Sequence, residues 1–236
     1  MSYEIEGLRP PVFIGLTGLP GVGKTTVAEQ LDSFTPQAID PSLAGEYYDV
    51  RTVSMRTLLG WHGYAGGNQL EPLRDYHELR RQEGEGPAIL DRLRKLGNGI
   101  FIIDSIRHQQ DAEYFSRRLG GYIIALELPL VECERRFTTD NNDEKHYRLG
   151  ERYRAMPDHK WTTIQQSLRE DAWDLAMEEV YDHGISACIK YADVRIRLEA
   201  TMLPSAVTDK VVEYIGSFIK SGGVSDRLAP SEMLKK

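Results

Sequence analysis

The sequence predicts an α/β protein built in three layers, a parallel β-sheet covered by helices on both faces. Three observations carry that prediction. Short apolar runs alternate with stretches of helical period from residue 11 to residue 219. One of those runs leads directly into a glycine-rich stretch, GLTGLPGVGKTT at 15–26, and then into a helix. The chain has 236 residues, 41% of them hydrophobic, which is enough for one large domain with a substantial core.

The elements follow in order. Residues 11–16, PVFIGL, read as a short buried strand, and 25–31 as a helix with Val27, Ala28 and Leu31 on one face. A second strand is expected over 46–53 (EYYDVRTV), a loop over 61–69 with its three glycines, and helices over 72–82 and 87–96. Residues 100–104, IFIID, form a strand that ends in an acid, followed by a helix over 109–119. GYIIALEL gives the next strand, and a helix begins near Leu130. The stretch 138–163 is polar, charged and without period, so it is expected to be a mobile excursion. A long amphipathic helix is expected over 164–183, a last strand within ADVRIRLEA, and a last helix over 204–219. The domain thus spans 12–220, between an arm at 1–11 and a tail at 221–236 expected to be disordered.

The glycine-rich stretch fits G-x-x-x-x-G-K-[ST] through Gly18, Gly23, Lys24 and Thr25, and the pattern needs the strand, loop and helix that surround it here. Glycines let backbone N–H groups close around a phosphate at a helix N-terminus. Gly18, Gly21, Val22, Gly23, Lys24, Thr25 and Thr26 are therefore the expected binding positions for ATP. Lys24 would reach the β and γ oxygens, and the Thr25 hydroxyl would ligate Mg²⁺.

Asp104, at the end of an apolar strand, sits where such proteins place the carboxylate that orients Mg²⁺; the alternative is an acid capping the next turn. Arg107 would extend from the same strand edge toward a phosphate, or pair with Asp111 or Glu113 on the surface. A second basic cluster runs from Arg135 and Arg136 through Lys145, Arg148, Arg152 and Arg154 to Arg169. Acids are interleaved, so a solvated, ion-paired segment is one reading of it. The other is a lid over 138–163, since arginines on a closing segment exclude water and neutralise a transferring phosphoryl group.

Composition bounds the partners. Net charge is −7 and the isoelectric point is near 5.5, which argues against a broad surface for polymeric nucleic acid. No apolar run approaches the ~20 residues of a membrane span, and the first residues lack the layout of a signal peptide, so a cytoplasmic protein is expected. The two cysteines, Cys133 and Cys188, lack metal-ligand spacing and read as buried thiols. Neither N-K-x-D nor L-S-G-G-Q occurs, which removes the GTPase and transporter ATPase readings.

The loop near the N-terminus, IIDSIRHQQDAEYF at mid-chain, the arginine-rich stretch after ECERRF and AD before the last strand together resemble the nucleoside monophosphate kinase and dephospho-coenzyme A kinase group of P-loop proteins, including deoxynucleotide kinase-like members. The resemblance implies a five-stranded parallel sheet in the order 2-3-1-4-5. It implies ATP and Mg²⁺ on the loop, with Arg135 or Arg136 beside the adenine or its phosphates. It places a small phosphorylated acceptor near Ser54, Arg56, Arg80 and Arg81, each of which also has an ordinary helix-surface reading. Lys24, Asp104, Arg135, Arg136 and Arg169 are then the expected catalytic set, Arg107 joins the acceptor side, and Thr25 with Asp104 holds the metal.

Departures bear on the acceptor. Dephospho-coenzyme A kinases resemble IDAD after the first helix, whereas here Ser42 stands in the stretch Ile39-Asp40-Pro41-Ser42 where the second Asp is expected. A hydroxyl acceptor benefits from such a base; a phosphate acceptor is already a nucleophile. Near Met55, Arg56-Thr57 replaces a Gly-Asp, and Glu199 stands where relatives have Asn. Three functions follow as expectations: a kinase acting on a (deoxy)nucleoside monophosphate or similar metabolite, a regulatory module that binds nucleotide without phosphotransfer, or a dephospho-coenzyme A kinase-like activity.

Overall fold

The computed structural model describes residues 10–45, 47, 49–54, 57–58, 88–139, 177 and 184–222. Five parallel strands form one sheet in the order β2-β3-β1-β4-β5, as the resemblance implies. They are β1 (Val12–Thr17), β2 (Val50–Val53), β3 (Ile100–Ile103), β4 (Tyr122–Glu127) and β5 (Val194–Arg197). The register sets Val12 against Ile100, Ile14 against Tyr122, Val50 against Ile100 and Ile124 against Val194.

Position in the sheet explains the composition of each strand. Every residue of β1 and β3 is buried, and both read as continuous apolar runs because both faces are covered. The edge strands VRTV and VRIR carry arginines and leave residues in solvent. Asp32 covers part of the β2 edge, its carboxylate accepting the Thr52 N–H at 2.6 Å. Arg195 and Arg197 of β5 both face Glu127 at 3.8 Å.

The described helices are α1 (Lys24–Leu31), α2 (Pro36–Ile39), α3 (Ala88–Asp91), α4 (Gln109–Leu119), α5 (Leu130–Thr139), α6 (Ile185–Lys190) and α7 (Pro204–Lys220). Alternation along β1 divides the core between two faces. Val12, Ile14 and Leu16 pack with Val27, Ala28 and Leu31 of α1 and Val211 and Ile215 of α7. Phe13 faces the other layer, with Ala112, Phe115 and Leu119 of α4, Leu93 and Cys188. These two clusters make the three layers.

Several boundaries differ from expectation. The second strand covers only Val50–Val53, although Tyr47 is buried and the Asp49 carbonyl still accepts from Ile100 N at 2.9 Å. The helix expected over 87–96 is a single turn, α3, continued as a 3-10 turn over Arg92–Lys95. Helix α6 was not legible: it is six residues long, starts after Gly184 at φ 71°, and its buried residues are only Ile185 and Cys188, too few to show a period. The last helix is as expected within one residue, with Pro204 in its first turn. The expected loop at 61–69, the helix at 72–82 and the tail from 223 lie outside the described residues, as do the lid beyond 139 and all of the 164–183 helix except Met177, which is helical.

Ser42 does not lie at the carboxyl edge of the sheet, where the glycine-rich loop stands. Helix α1 carries the chain away from the phosphate loop, and residues 36–45 precede the amino end of β2, the far end of a parallel sheet. There the Ser42 hydroxyl and N–H both donate to Asp40 Oδ1, and Asp40 Oδ2 accepts from Lys220 at 2.5 Å. The residue that follows the carboxyl end of β2 is Ser54.

Candidate active site

Because β1 lies between β3 and β4, the chain leaves it at the point where strand order reverses, the usual ligand crevice of an open α/β sheet. The glycine-rich loop occupies that point. Gly18, Gly21 and Gly23 all have positive φ, at 144°, 75° and 98°. At Gly18 a side chain is also sterically barred, since a Cβ would lie 2.4 Å from the Leu126 carbonyl oxygen of β4. Gly23 precedes α1 directly, so the first N–H groups of an eight-residue helix open onto the loop. The Lys24 ammonium folds back over this loop and donates to the carbonyls of Gly18 at 2.8 Å and Leu19 at 2.9 Å.

One residue further along α1, the Thr25 hydroxyl donates to Asp104 Oδ2 at 3.3 Å. Asp104 follows β3 immediately, and its N–H donates to the Val53 carbonyl of β2. Its second oxygen, Oδ1, is buried with no hydrogen-bond partner among the described residues. A hydroxyl and a carboxylate side by side, one carboxylate oxygen unsatisfied, form a hard oxygen donor set that fits Mg²⁺.

The chain after Asp104 crosses the end of β1. Ile106 N donates to the Leu16 carbonyl at 2.8 Å, and the Thr17 hydroxyl donates to the Ile106 carbonyl at 2.8 Å. This crossing brings Arg107 to the carboxyl edge, where its Nε donates to Ser105 Oγ at 3.2 Å. Glu113 pairs with Arg117 instead. Ser54 lies at the end of β2, where its hydroxyl accepts the Thr57 N–H at 3.2 Å and so caps a following turn.

Helix α5 flanks the loop on the β4 side. Burial pushes the thiol of its Cys133 up to about 11. Arg135 and Arg136 share Glu132, whose carboxylate they hold down at about 2, Arg135 contributing most. The resemblance implies Arg135 or Arg136 beside the nucleotide; the contact of Arg136 with the loop after β5, through the Ala200 carbonyl at 2.8 Å, has no sequence signal. Arg56, Arg80, Arg81 and Arg169 lie outside the described residues.

Sheet order and loop together define a three-layer α/β fold with a glycine-rich loop at its switch point. No protein-family model and no curated protein matches the chain. Among solved structures, it is similar to a shikimate kinase from Bacteroides thetaiotaomicron, with a TM-score of 0.50 and 14% identity over 89% of this chain and 98% of that one. Others are a shikimate kinase from Acinetobacter baumannii in complex with shikimate (TM-score 0.45, 17% identity, 92% and 96% covered) and a gluconokinase from Sinorhizobium meliloti 1021 (0.36, 13%, 91% and 98%). At these identities the likeness is one of fold. Among the described residues no helix is long and apolar enough to cross a membrane.

Proposed function

We propose that the protein is a kinase that transfers the γ-phosphoryl group of ATP to a small phosphorylated acceptor, with a (deoxy)nucleoside monophosphate as the acceptor class that the sequence resemblance favours. The observation that carries this reading is the Thr25–Asp104 pair beside the glycine loop, with Asp104 Oδ1 buried and without a partner among the described residues. In this reading the N–H groups of the loop and of the first turn of α1 hold the phosphates. Lys24 exchanges its two loop carbonyls for phosphate oxygens. Thr25 and Asp104 hold Mg²⁺, which supplies charge neutralisation on the phosphates when bound.

The acceptor side faces the carboxyl end of β2. That strand ends in Val53-Ser54, and no acid follows in the sequence until Glu71. An acceptor that is already an anion calls for no such acid and needs mainly placement. Arg107, with Arg56, Arg80 and Arg81, supplies the cations for it, and Arg135 and Arg169 serve the lid. Two buried cysteines, Cys133 and Cys188, accord with a reducing, cytoplasmic setting, which belongs to the same proposal.

The test is ADP release from Mg·ATP with a panel of (deoxy)nucleoside monophosphates, dephospho-coenzyme A, shikimate, gluconate and a buffer blank, with Lys24→Ala as control. One phosphorylated acceptor raising turnover far above the blank, and the signal vanishing in the variant, is the expected result. If shikimate or gluconate were the active acceptor, the phosphorylated-acceptor half of the proposal would fall. If every acceptor matched the blank while ATP still raised the melting temperature, the chain would be a nucleotide-binding module instead.

A further inference from the structure

One carboxylate, Glu132 on the first turn of α5, holds two arginines of its own helix, and the two are not equivalent. Arg135 turns Nε to Glu132 Oε2 at 2.9 Å and Nη2 to Oε1, and its side chain is 58% exposed. Arg136 donates Nε to Glu132 Oε1 at 3.3 Å, but its Nη2 reaches across to the loop after β5 and donates to the carbonyls of Ala200 at 2.8 Å and Glu199 at 3.5 Å. Its side chain is 25% exposed.

The location gives this bridge its consequence. Cys133, between Glu132 and Arg136 on the same helix, is fully buried in the cluster that also holds Val22 of the phosphate loop, and Gly18 of that loop is seated on the Leu126 carbonyl of β4, which ends three residues before α5 begins. The first turns of α5 therefore stand beside the phosphate loop. The segment 198–203 is tied to the sheet by Leu198 N on the Glu127 carbonyl and closed on itself by Met202 N on the Glu199 carbonyl. Arg136 joins that segment to α5.

We propose that Arg136, oriented by Glu132, is a positioning residue that fixes the loop after β5 against α5, and that nucleotide affinity depends on the wall so formed. The nucleotide half rests on the proposed function above. The argument is one of donor accounting. A guanidinium has five N–H donors in a rigid fork and can satisfy a carboxylate and two carbonyls together, which a lysine ammonium on a single stem does not reproduce. With its charge matched by Glu132 and Nη2 turned to carbonyls, Arg136 acts by holding backbone rather than by meeting a phosphate. A phosphate ligand tolerates replacement by lysine far better than a bridge does.

The test uses the full chain without nucleotide and compares Arg136→Lys, Glu132→Gln and Arg135→Lys with the wild type. Amide hydrogen exchange over 198–203 should accelerate roughly tenfold in Arg136→Lys, less in Glu132→Gln, and stay at the wild-type rate in Arg135→Lys. Calorimetric affinity for a non-hydrolysable ATP analogue with Mg²⁺ should fall roughly tenfold in Arg136→Lys, and in turnover its KM for ATP should rise by more than kcat falls. Unchanged exchange at 198–203 in Arg136→Lys overturns the inference, as does full retention of affinity. A wild-type chain that bound no nucleotide would sink the kinase reading and the affinity half of this one, while loop exchange would still decide whether Arg136 holds the segment.

Discussion

Thr25, on the first turn of α1, donates its hydroxyl across 3.3 Å to Asp104 at the end of β3, 79 residues later in the chain. The two meet because β1 and β3 are parallel neighbours, which brings the start of the helix after one strand to the end of the other. The second oxygen of Asp104 has no hydrogen-bond partner among the described residues, so the described site is incomplete.

That incompleteness predicts a trade between stability and activity. An unsatisfied buried acceptor disfavours the folded state, so Asp104→Ala, which removes it together with the bond to Thr25, should stabilise the nucleotide-free protein by about 1 kcal/mol in urea denaturation. Its Mg·ATP turnover should fall by roughly 100-fold. A less stable variant would mean that the bond to Thr25 outweighs the unsatisfied oxygen.

The glycines of the loop should differ in what replacement costs. Alanine at Gly18 meets the Leu126 carbonyl at 2.4 Å and a φ of 144°, and should destabilise the fold by about 3 kcal/mol or more. At Gly23 nothing lies within 4 Å, so only the left-handed backbone at φ 98° opposes a side chain, at about 1–2 kcal/mol. Denaturation midpoints of the two variants give the comparison. Equal losses would be incompatible with a loop seated on β4.

Acid should release the far end of the sheet. Lys220, helped by Ser42, holds the Asp40 carboxyl down from its ordinary 3.8 to about 2. A depressed folded-state pKa contributes stability that is complete above the unfolded value and is lost as pH falls through the folded one, here from about pH 4 to about pH 2. Lys220→Met should therefore melt earlier than wild type at neutral pH, with the gap closing over that window. A gap independent of pH would remove the ion pair as its cause.

Both cysteines should be silent toward thiol reagents at neutral pH. Cys133 and Cys188 are buried, and burial raises the Cys133 thiol to about 11, so almost none of it is thiolate. Neither should label with an aromatic disulfide reagent until the chain is unfolded, when both should. Rapid labelling of the native protein would show that α5 opens readily from the core.

Much of the architecture was legible locally. Residues 109–119 show the period of α4 because one face of the helix buries Ala112, Phe115 and Leu119 and the other meets water. The central strands announced themselves as unbroken apolar runs, since burial on both faces leaves no polar position. The second strand was overextended because Tyr47 is buried outside the ladder, and composition does not distinguish a buried side chain in a strand from one before it. The position of Ser42 was not legible for a related reason: spacing after α1 does not say at which end of the sheet a residue falls.

What the sequence by itself determined is the phosphate loop and the alternation of strands and helices, because both rest on residues within one or two turns of each other. Glycine at 18, 21 and 23 followed by Lys24 fixes a backbone curve whatever the rest of the chain does. Only the tertiary structure decided that Asp104 stands against Thr25, that Arg136 reaches Ala200 and that Lys220 closes on Asp40. Those pairings join residues dozens to well over a hundred positions apart, and they depend on which strands are neighbours and in what register, a choice made by burial over the whole core.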